Sequence, residues 1–217
     1  MIKLPKKEAY IFDMDGVIVD NISYHIKALK EFLKGFGKEI DDEYFQQHLN
    51  GRTMQEVVLS LKPDASKEEV MRLTEEKEAL YRSLYKPFLS PTLGLLPFLM
   101  AAKKNGIRMA VATSAVTSNA TFTLEGLSIR EFFDVVVDST MVTKGKPDPE
   151  IYLMAAKELN VAPKDCLVFE DALAGIQSAK NAGMDVVGIA SSLSIEQLPG
   201  ELVASAKDFQ TLSVPSV

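Results

Sequence analysis

A handful of side chains in this chain could do chemistry together, and each lies beyond an apolar run, at its end or in the loop that follows. Asp13 and Asp15 follow Tyr10-Ile11-Phe12, spaced i and i+2 around Met14, and Gly16 behind them allows a tight turn. Thr113 and Ser114 close the run Ile107–Ala112, Lys146 lies in the loop beyond Asp134–Val137, and Glu170 and Asp171 close Cys166–Phe169. Carboxylates gathered in one place repel, and some stay protonated unless a cation joins them. A hard divalent ion meets that need, because Mg²⁺ takes one or two carboxylates and completes its shell with water and phosphate oxygens. Thr113 and Lys146 suit the remaining oxygens of a phosphate, the lysine as a compact cation. Around such a phosphate a free carboxylate can attack phosphorus and form an aspartyl-phosphate. A second acid can protonate the leaving alcohol and later take a proton from water.

Taken singly, these residues have plainer roles. Asp-x-Asp-Gly can end a strand in a polar turn, and Thr113-Ser114 can cap a helix. Lys146 can be a solvated loop charge before Pro147 and Pro149, and Glu170-Asp171 can open a helix, favoured by its dipole. Their joint order, each at a strand end, gives them one chemistry.

The elements that must position them are legible as hydrophobic runs and periodicities. The run ending at Phe12 reads as a strand buried on both faces. From Lys86 onward strands alternate with helices, the pattern of a parallel sheet. Helices are expected at Leu95–Asn105, near Asn119–Leu127, at Pro149–Leu159 and at Ala174–Ala182. The matching strands are Ile107–Ala112, Asp134–Val137, Cys166–Phe169 and Val186–Ala190, with a short one at Leu202–Ala204. Parallel strands place all their ends on one edge, where open α/β sheets bind ligands.

Between the first strand and the rest lies a stretch with helical spacing alone. Asn21 to Gly35 carries Ile22, Ile26, Leu29, Phe32 and Leu33 on one face. Three more helices are expected up to Tyr85, capped by Asp41 or Asp42, by Thr53 with Glu56 at the capping-box offset, and by Ser66 with Glu69. The expected fold is α/β, a Rossmann-like parallel sheet core (residues 1–20 and 88–217) with an inserted all-α cap (21–87).

At 217 residues, with 47% apolar and 25% charged residues, the chain has a globular composition. A net charge of −6 speaks against nucleic acid or an anionic membrane as partner. Lys3, Lys6, Lys7 and Glu8 crowd the start where a signal peptide would need an apolar run, and Pro91, Gly94 and Pro97 interrupt Phe88–Ala102. The single cysteine, Cys166, excludes an internal disulfide and reads as a buried thiol. A cytoplasmic protein, monomeric or weakly dimeric, is the expectation.

The residues Asp13-Met14-Asp15-Gly16-Val17, Val111-Ala112-Thr113-Ser114, Gly145-Lys146-Pro147-Asp148-Pro149 and Phe169-Glu170-Asp171, the last running on to Gly175-Ile176, together resemble the four motifs of the haloacid-dehalogenase superfamily. They stand in the family's order over essentially the whole chain. The helical insert directly after the first motif resembles the group that holds β-phosphoglucomutase and small sugar-phosphate phosphatases. The resemblance implies a phosphohydrolase of a small phosphorylated metabolite that uses Mg²⁺. It makes Asp13 the nucleophile and a metal ligand, and Asp15 the general acid/base whose backbone carbonyl also binds the metal. Thr113 and Lys146 would hold the phosphoryl group, and Asp171 would be the third protein ligand with Glu170 beside it. Backbone amides of Met14, Asp15 and Ser114 would cradle phosphate oxygens. Asp15 also argues against a dehalogenase, a branch that lacks the second aspartate.

For the cap, the resemblance places His25 and Lys77 where β-phosphoglucomutase has a gating histidine and a cap lysine. Asn21 stands where that mutase has a threonine, and Met54 where it has a phosphate-binding arginine. Gly51-Arg52-Thr53 looks more like the phosphatase members, which makes Arg52 a substrate-binding candidate. A mutase is the alternative. A phospho-acceptor receiver domain also gathers acids, a hydroxyl and a lysine around Mg²⁺, but it has no insert of this size.

Overall fold

Ala9–Phe12 has no exposed residue, and a strand so enclosed needs neighbours on both edges and both faces. In the computed structural model, which describes residues 1–49 and 53–215, it has all four. The strands are β1 (Ile2–Lys3), β2 (Ala9–Phe12), β3 (Arg108–Ala112), β4 (Val135–Val137), β5 (Cys166–Glu170), β6 (Asp185–Ile189), β7 (Ala204–Ala206) and β8 (Leu212–Ser213). Six of them form one parallel sheet in the order β4-β3-β2-β5-β6-β7. From β2 the chain steps outward through β3 and β4, then crosses to the other side for β5, β6 and β7. That reversal makes the carboxyl end of β2 a topological switch point, the usual ligand crevice of such sheets.

The helices are α1 (Ile22–Lys34), α2 (Asp42–His48), α3 (Met54–Leu61), α4 (Lys67–Tyr85), α5 (Leu95–Lys104), α6 (Thr117–Gly126), α7 (Glu150–Glu158) and α8 (Leu173–Asn181). The chain divides into two compact units, Met1–Asp20 with Leu89–Val217, and Asn21–Phe88. All the strands lie in the first unit, and α1 to α4 make up the second. Among the described residues no helix is long and apolar enough to cross a membrane.

Alternation along β2 sorts the core of the first unit. Ala9 and Ile11 join Ala110, Val168 and the apolar faces of α7 and α8, including Ile151, Ala155, Ile176 and Ala179. Tyr10 and Phe12 turn the other way, into a cluster of rings with Phe98 of α5, Phe169 and Phe209. There Phe12 and Phe169 stack with centroids 4.6 Å apart. Tyr10 pays for its place: its hydroxyl is buried without a hydrogen-bond partner, and burial pushes it up to about 12. Cys166 is a free, buried thiol within β5, and burial pushes it up to about 11.

The second unit is closed by its own residues. Leu29, Phe32 and Leu33 of α1 pack with Val57 and Val58 of α3 and Leu73 of α4. The helix starts are those the side chains favour. Asp41 accepts from the Tyr44 amide at 2.8 Å, Thr53 and Glu56 form a reciprocal capping box, and Ser66 accepts from the Glu69 amide.

Two details differ from the sequence expectation. The last strand of the large sheet is Ala204–Ala206 rather than Leu202–Ala204. Its register is set by β6, with Val187 opposite Ala204, while Leu202 packs against the core as a side chain. The parallel pair of β1 and β8 has no counterpart in the sequence expectation, since two-residue strands joining distant segments leave no periodic pattern.

Candidate active site

The strand pairing of β2 with β5 runs one residue past β2, because the Asp13 amide donates to Phe169 O at 3.0 Å. That bond fixes the aspartate at the carboxyl edge of the sheet, where it is 7% exposed. Lys146 meets it there from the loop after β4. Its Nζ donates to Asp13 Oδ1 at 2.5 Å and to Glu170 Oε1 at 2.7 Å, and lies 3.4 Å from Ala112 O. One ammonium therefore spans the ends of β3, β2 and β5.

Glu170 and Asp171 are almost wholly buried. Glu170 Oε2 accepts from the amides of Asp171 and Ala172, at 2.8 and 2.9 Å. A Cβ at Gly175 would lie 1.6 Å from Glu170 Oε1, so the first turn of α8 leaves the glutamate its place only because residue 175 has no side chain. Gly16 does the same for Asp171. It adopts a positive φ of 85°, and a Cβ there would lie 2.0 Å from Asp171 Oδ2.

The charges do not balance. Burial works to lower the Lys146 ammonium, but the Asp13 and Glu170 carboxylates outweigh it and hold it well above the ordinary lysine value. Burial pushes Asp13 well above the usual carboxylate range, opposed by Lys146 and reinforced by Glu170 and Asp171. Asp171 is pushed up to about 7, first by burial and then by Glu170. Three buried carboxylates against one ammonium favour a further cation. Among the described residues no three His, Cys, Asp or Glu side chains form a protein-only metal cage. Mg²⁺ needs none, and a hard-oxygen donor set with surplus negative charge suits it.

Thr113 is buried at the end of β3, its amide on Val137 O at 3.0 Å. Its hydroxyl oxygen accepts from the Ala115 amide at 3.0 Å, which leaves the hydroxyl proton to donate. Ser114 is exposed beside it. Asp138, just beyond β4, accepts from Thr140 and from the Thr117 hydroxyl, the latter at 2.7 Å, and so ties the loop after β3 to the loop after β4. Met14 is buried, and its carbonyl accepts from the Ile18 amide at 2.8 Å to close the turn that carries half-buried Asp15.

Residues 10–189 match the family model of haloacid dehalogenase-like hydrolases. The chain belongs to that family. It is an enzyme, a hydrolase of the phosphatase kind. It is 34% identical over 193 residues to the phosphorylated carbohydrates phosphatase of Thermotoga maritima, covering 86% of this chain and 87% of the relative. It is 36% identical over 192 residues to the β-phosphoglucomutase of Bacillus subtilis, covering 84% and 83%. The crystal structure of a family IA, variant 3 hydrolase from Entamoeba histolytica superposes with a TM-score of 0.87 at 31% identity, covering 95% of each chain.

This hydrolase also places residues around the site that the sequence reading passed over. Tyr152 of α7 donates to Glu170 Oε1 at 3.0 Å, and its ring centroid lies 4.9 Å from Lys146 Nζ. Just after β6, Ser192 donates to Asp171 Oδ2, and Ser191 Oγ lies 3.2 Å from the same oxygen. Glu150 Oε2 accepts from the Thr143 amide and hydroxyl and from the Lys144 amide, at 3.0, 2.9 and 2.8 Å. The serines follow an apolar run as Thr113 and Glu170 do, so the same strand-end rule finds them. Tyr152 and Glu150 carry no such local mark.

In the helical unit of the hydrolase, His25 and Lys77 are brought together. Lys77 Nζ donates to His25 Nδ1 at 3.2 Å and to Glu78 Oε1 at 2.9 Å, and Lys77 and Glu78 are both buried. The His25 ring stacks on Tyr81 at 3.7 Å between centroids, and Asn21 donates to the Tyr81 hydroxyl at 2.5 Å. His25 and Lys77 line a 260 Å³ cavity within this unit, otherwise mostly apolar with Ile22, Ile26, Phe45 and Met54. Arg52, and Gly51 before it, lie outside the described residues.

Proposed function

We propose that the protein is a Mg²⁺-dependent phosphatase of a small phosphorylated carbohydrate, working through an aspartyl-phosphate on Asp13. The observation that carries this is the Lys146 ammonium held between Asp13 and Glu170 at the switch point of the sheet, with Asp171 beside them. Similarity to a phosphatase of phosphorylated carbohydrates supports the substrate class.

In this reading Asp13 attacks phosphorus and the bond from phosphorus to the sugar oxygen breaks. Asp15, protonated at the start, gives its proton to the leaving alcohol. It then takes a proton from the water that attacks the aspartyl-phosphate, whose bond from Asp13 oxygen to phosphorus breaks to release inorganic phosphate and return the enzyme to its first state. Lys146 and the Thr113 hydroxyl hold phosphoryl oxygens, with backbone amides of Met14, Asp15 and Ser114. Asp13, Asp171 and the Asp15 carbonyl would hold the cation, with Glu170 beside them. When bound, the cation offsets the carboxylate surplus and polarises the phosphoryl group. His25, Lys77 and Arg52 are assigned to the organic part of the substrate.

A phosphate-release screen over phosphorylated carbohydrates tests this, with Asp13→Asn as the control. Asp13→Asn is expected to stay folded and lose at least ~10³ in kcat, about 4 kcal/mol of barrier. Retention of more than about a tenth of the wild-type rate removes Asp13 as nucleophile. The second reading is a phosphosugar mutase, favoured by the His25–Lys77 contact and by the mutase relative. A β-glucose-1-phosphate isomerisation assay run beside the screen separates the two.

A further inference from the structure

We infer that Ser191 and Ser192 are positioning residues that hold Asp171 ready for the cation, an inference that rests on the metal site proposed above. The sheet order puts β5 between β2 and β6, so a link from the end of β6 to the turn after β2 must cross over the end of β5. The two serines make that link. Ser191 Oγ donates to Gly16 O at 2.5 Å and lies 3.2 Å from Asp171 Oδ2. Ser192 Oγ donates to the same Asp171 Oδ2.

A hydroxyl has a single proton, so Ser191 serves one acceptor at a time, and the shorter contact assigns it to Gly16. Ser192 is then the steady donor to Asp171. The two residues have separate roles. Ser191 fixes the turn that carries Asp15, and Ser192 fixes the rotamer of Asp171. Both serine hydroxyls lie against Oδ2, so they gather on one carboxylate oxygen and leave the other for a ligand. The absence of a side chain at Gly16 is what admits the arrangement, since a Cβ there would lie 2.0 Å from Oδ2 and 3.0 Å from Ser191 Oγ. A carboxylate oriented in this way binds a cation without first being ordered, and partners that orient ligands change affinity about 10- to 100-fold when removed.

The test uses the full chain, without substrate, and Mg²⁺ alone as probe. Its dissociation constant is measured by calorimetry and by the Mg²⁺-dependent rise in melting temperature for wild type, Ser192→Ala, Ser192→Thr and Ser191→Ala. Ser192 is exposed as a residue, so its variants are expected to fold, and the melting temperature in chelator checks this. Ser192→Ala is expected to weaken Mg²⁺ binding about 10- to 100-fold, and Ser192→Thr, which keeps the hydroxyl, to recover most of the loss. Phosphate release by Ser192→Ala should need correspondingly more Mg²⁺, with the rate largely regained at saturation. Wild-type Mg²⁺ affinity in Ser192→Ala, or equal losses in the alanine and threonine variants, overturns the inference while the proposed function stands. A wild-type chain that neither binds Mg²⁺ nor releases phosphate overturns both.

Discussion

Gly175 shows how little room the site leaves at the level of single residues. A methyl group there would stand 1.6 Å from Glu170 Oε1, the atom that receives Lys146 and Tyr152. Gly175→Ala therefore cannot be absorbed by a small shift, and Glu170 must leave its place. A displaced buried carboxylate that loses its ammonium costs on the order of 3 kcal/mol. The expected result is a melting temperature lowered by several degrees and kcat reduced at least ~10-fold. Thermal unfolding followed by circular dichroism, with kinetics on the best substrate, checks it, and wild-type values for both would show that Glu170 is not so confined. The candidate acids and the threonine stand out in the sequence because each follows an apolar run, whereas Lys146 lies well into the loop after Val137 and stands out only by its place in the order of strands and loops. Gly175 was legible only as part of a motif, since its reason is a contact with a side chain five residues earlier that no local pattern reveals.

At the level of elements, the loop between β4 and α7 is the one that must be exact, because it alone delivers Lys146. Glu150 holds it from the first turn of α7 with three hydrogen bonds to Thr143 and Lys144. The same bonds, the Thr143 amide first, hold the Glu150 carboxyl below its ordinary value. Glu150→Ala should free the loop at little cost to the fold, since the bonds lie at the surface. The expected outcome is a ~10-fold loss in kcat/KM, about 1.4 kcal/mol, with a melting temperature within ~3 °C of wild type. A larger thermal loss with unchanged kinetics would mean that Glu150 serves stability alone. The strands and helices themselves were readable wherever a periodic or continuous apolar run marks them. β7 was misplaced by two residues because its neighbour, not its own hydrophobicity, sets its register. The β1–β8 pair joins segments at opposite ends of the chain and leaves no local trace.

For the molecule as a whole, the surplus negative charge at the sheet edge sets the response to cations. Chelation is expected to abolish phosphate release, Mg²⁺ to restore it, and Ca²⁺ to fail as a replacement. Ca²⁺ takes more ligands at longer distances, which suits in-line attack poorly. A titration of each ion into chelated enzyme, with released phosphate as readout, decides the matter, and full activity in chelator would refute the cation argument. The division into a sheet unit and a helical unit was legible because the texture of the sequence changes at two points. The sequence gives no such access to the contacts of Lys77. It lies buried against Glu78 and His25, so Lys77→Ala would remove one partner from each of them whatever the substrate.

The place of β2 at the centre of the sheet has a consequence for the order in which the chain is made. β2 is synthesised before both of its neighbours, since Ala9 pairs with Arg108 on one side and Cys166 on the other. While the nascent chain lengthens, this wholly buried strand has neither neighbour. The helical unit lies wholly within that interval, and its local contacts can form as it emerges, as units of a growing chain do. β2 must stay unaggregated until β5 arrives to enclose it, so the strand whose carboxyl end presents the proposed nucleophile depends on the timely arrival of a segment made much later.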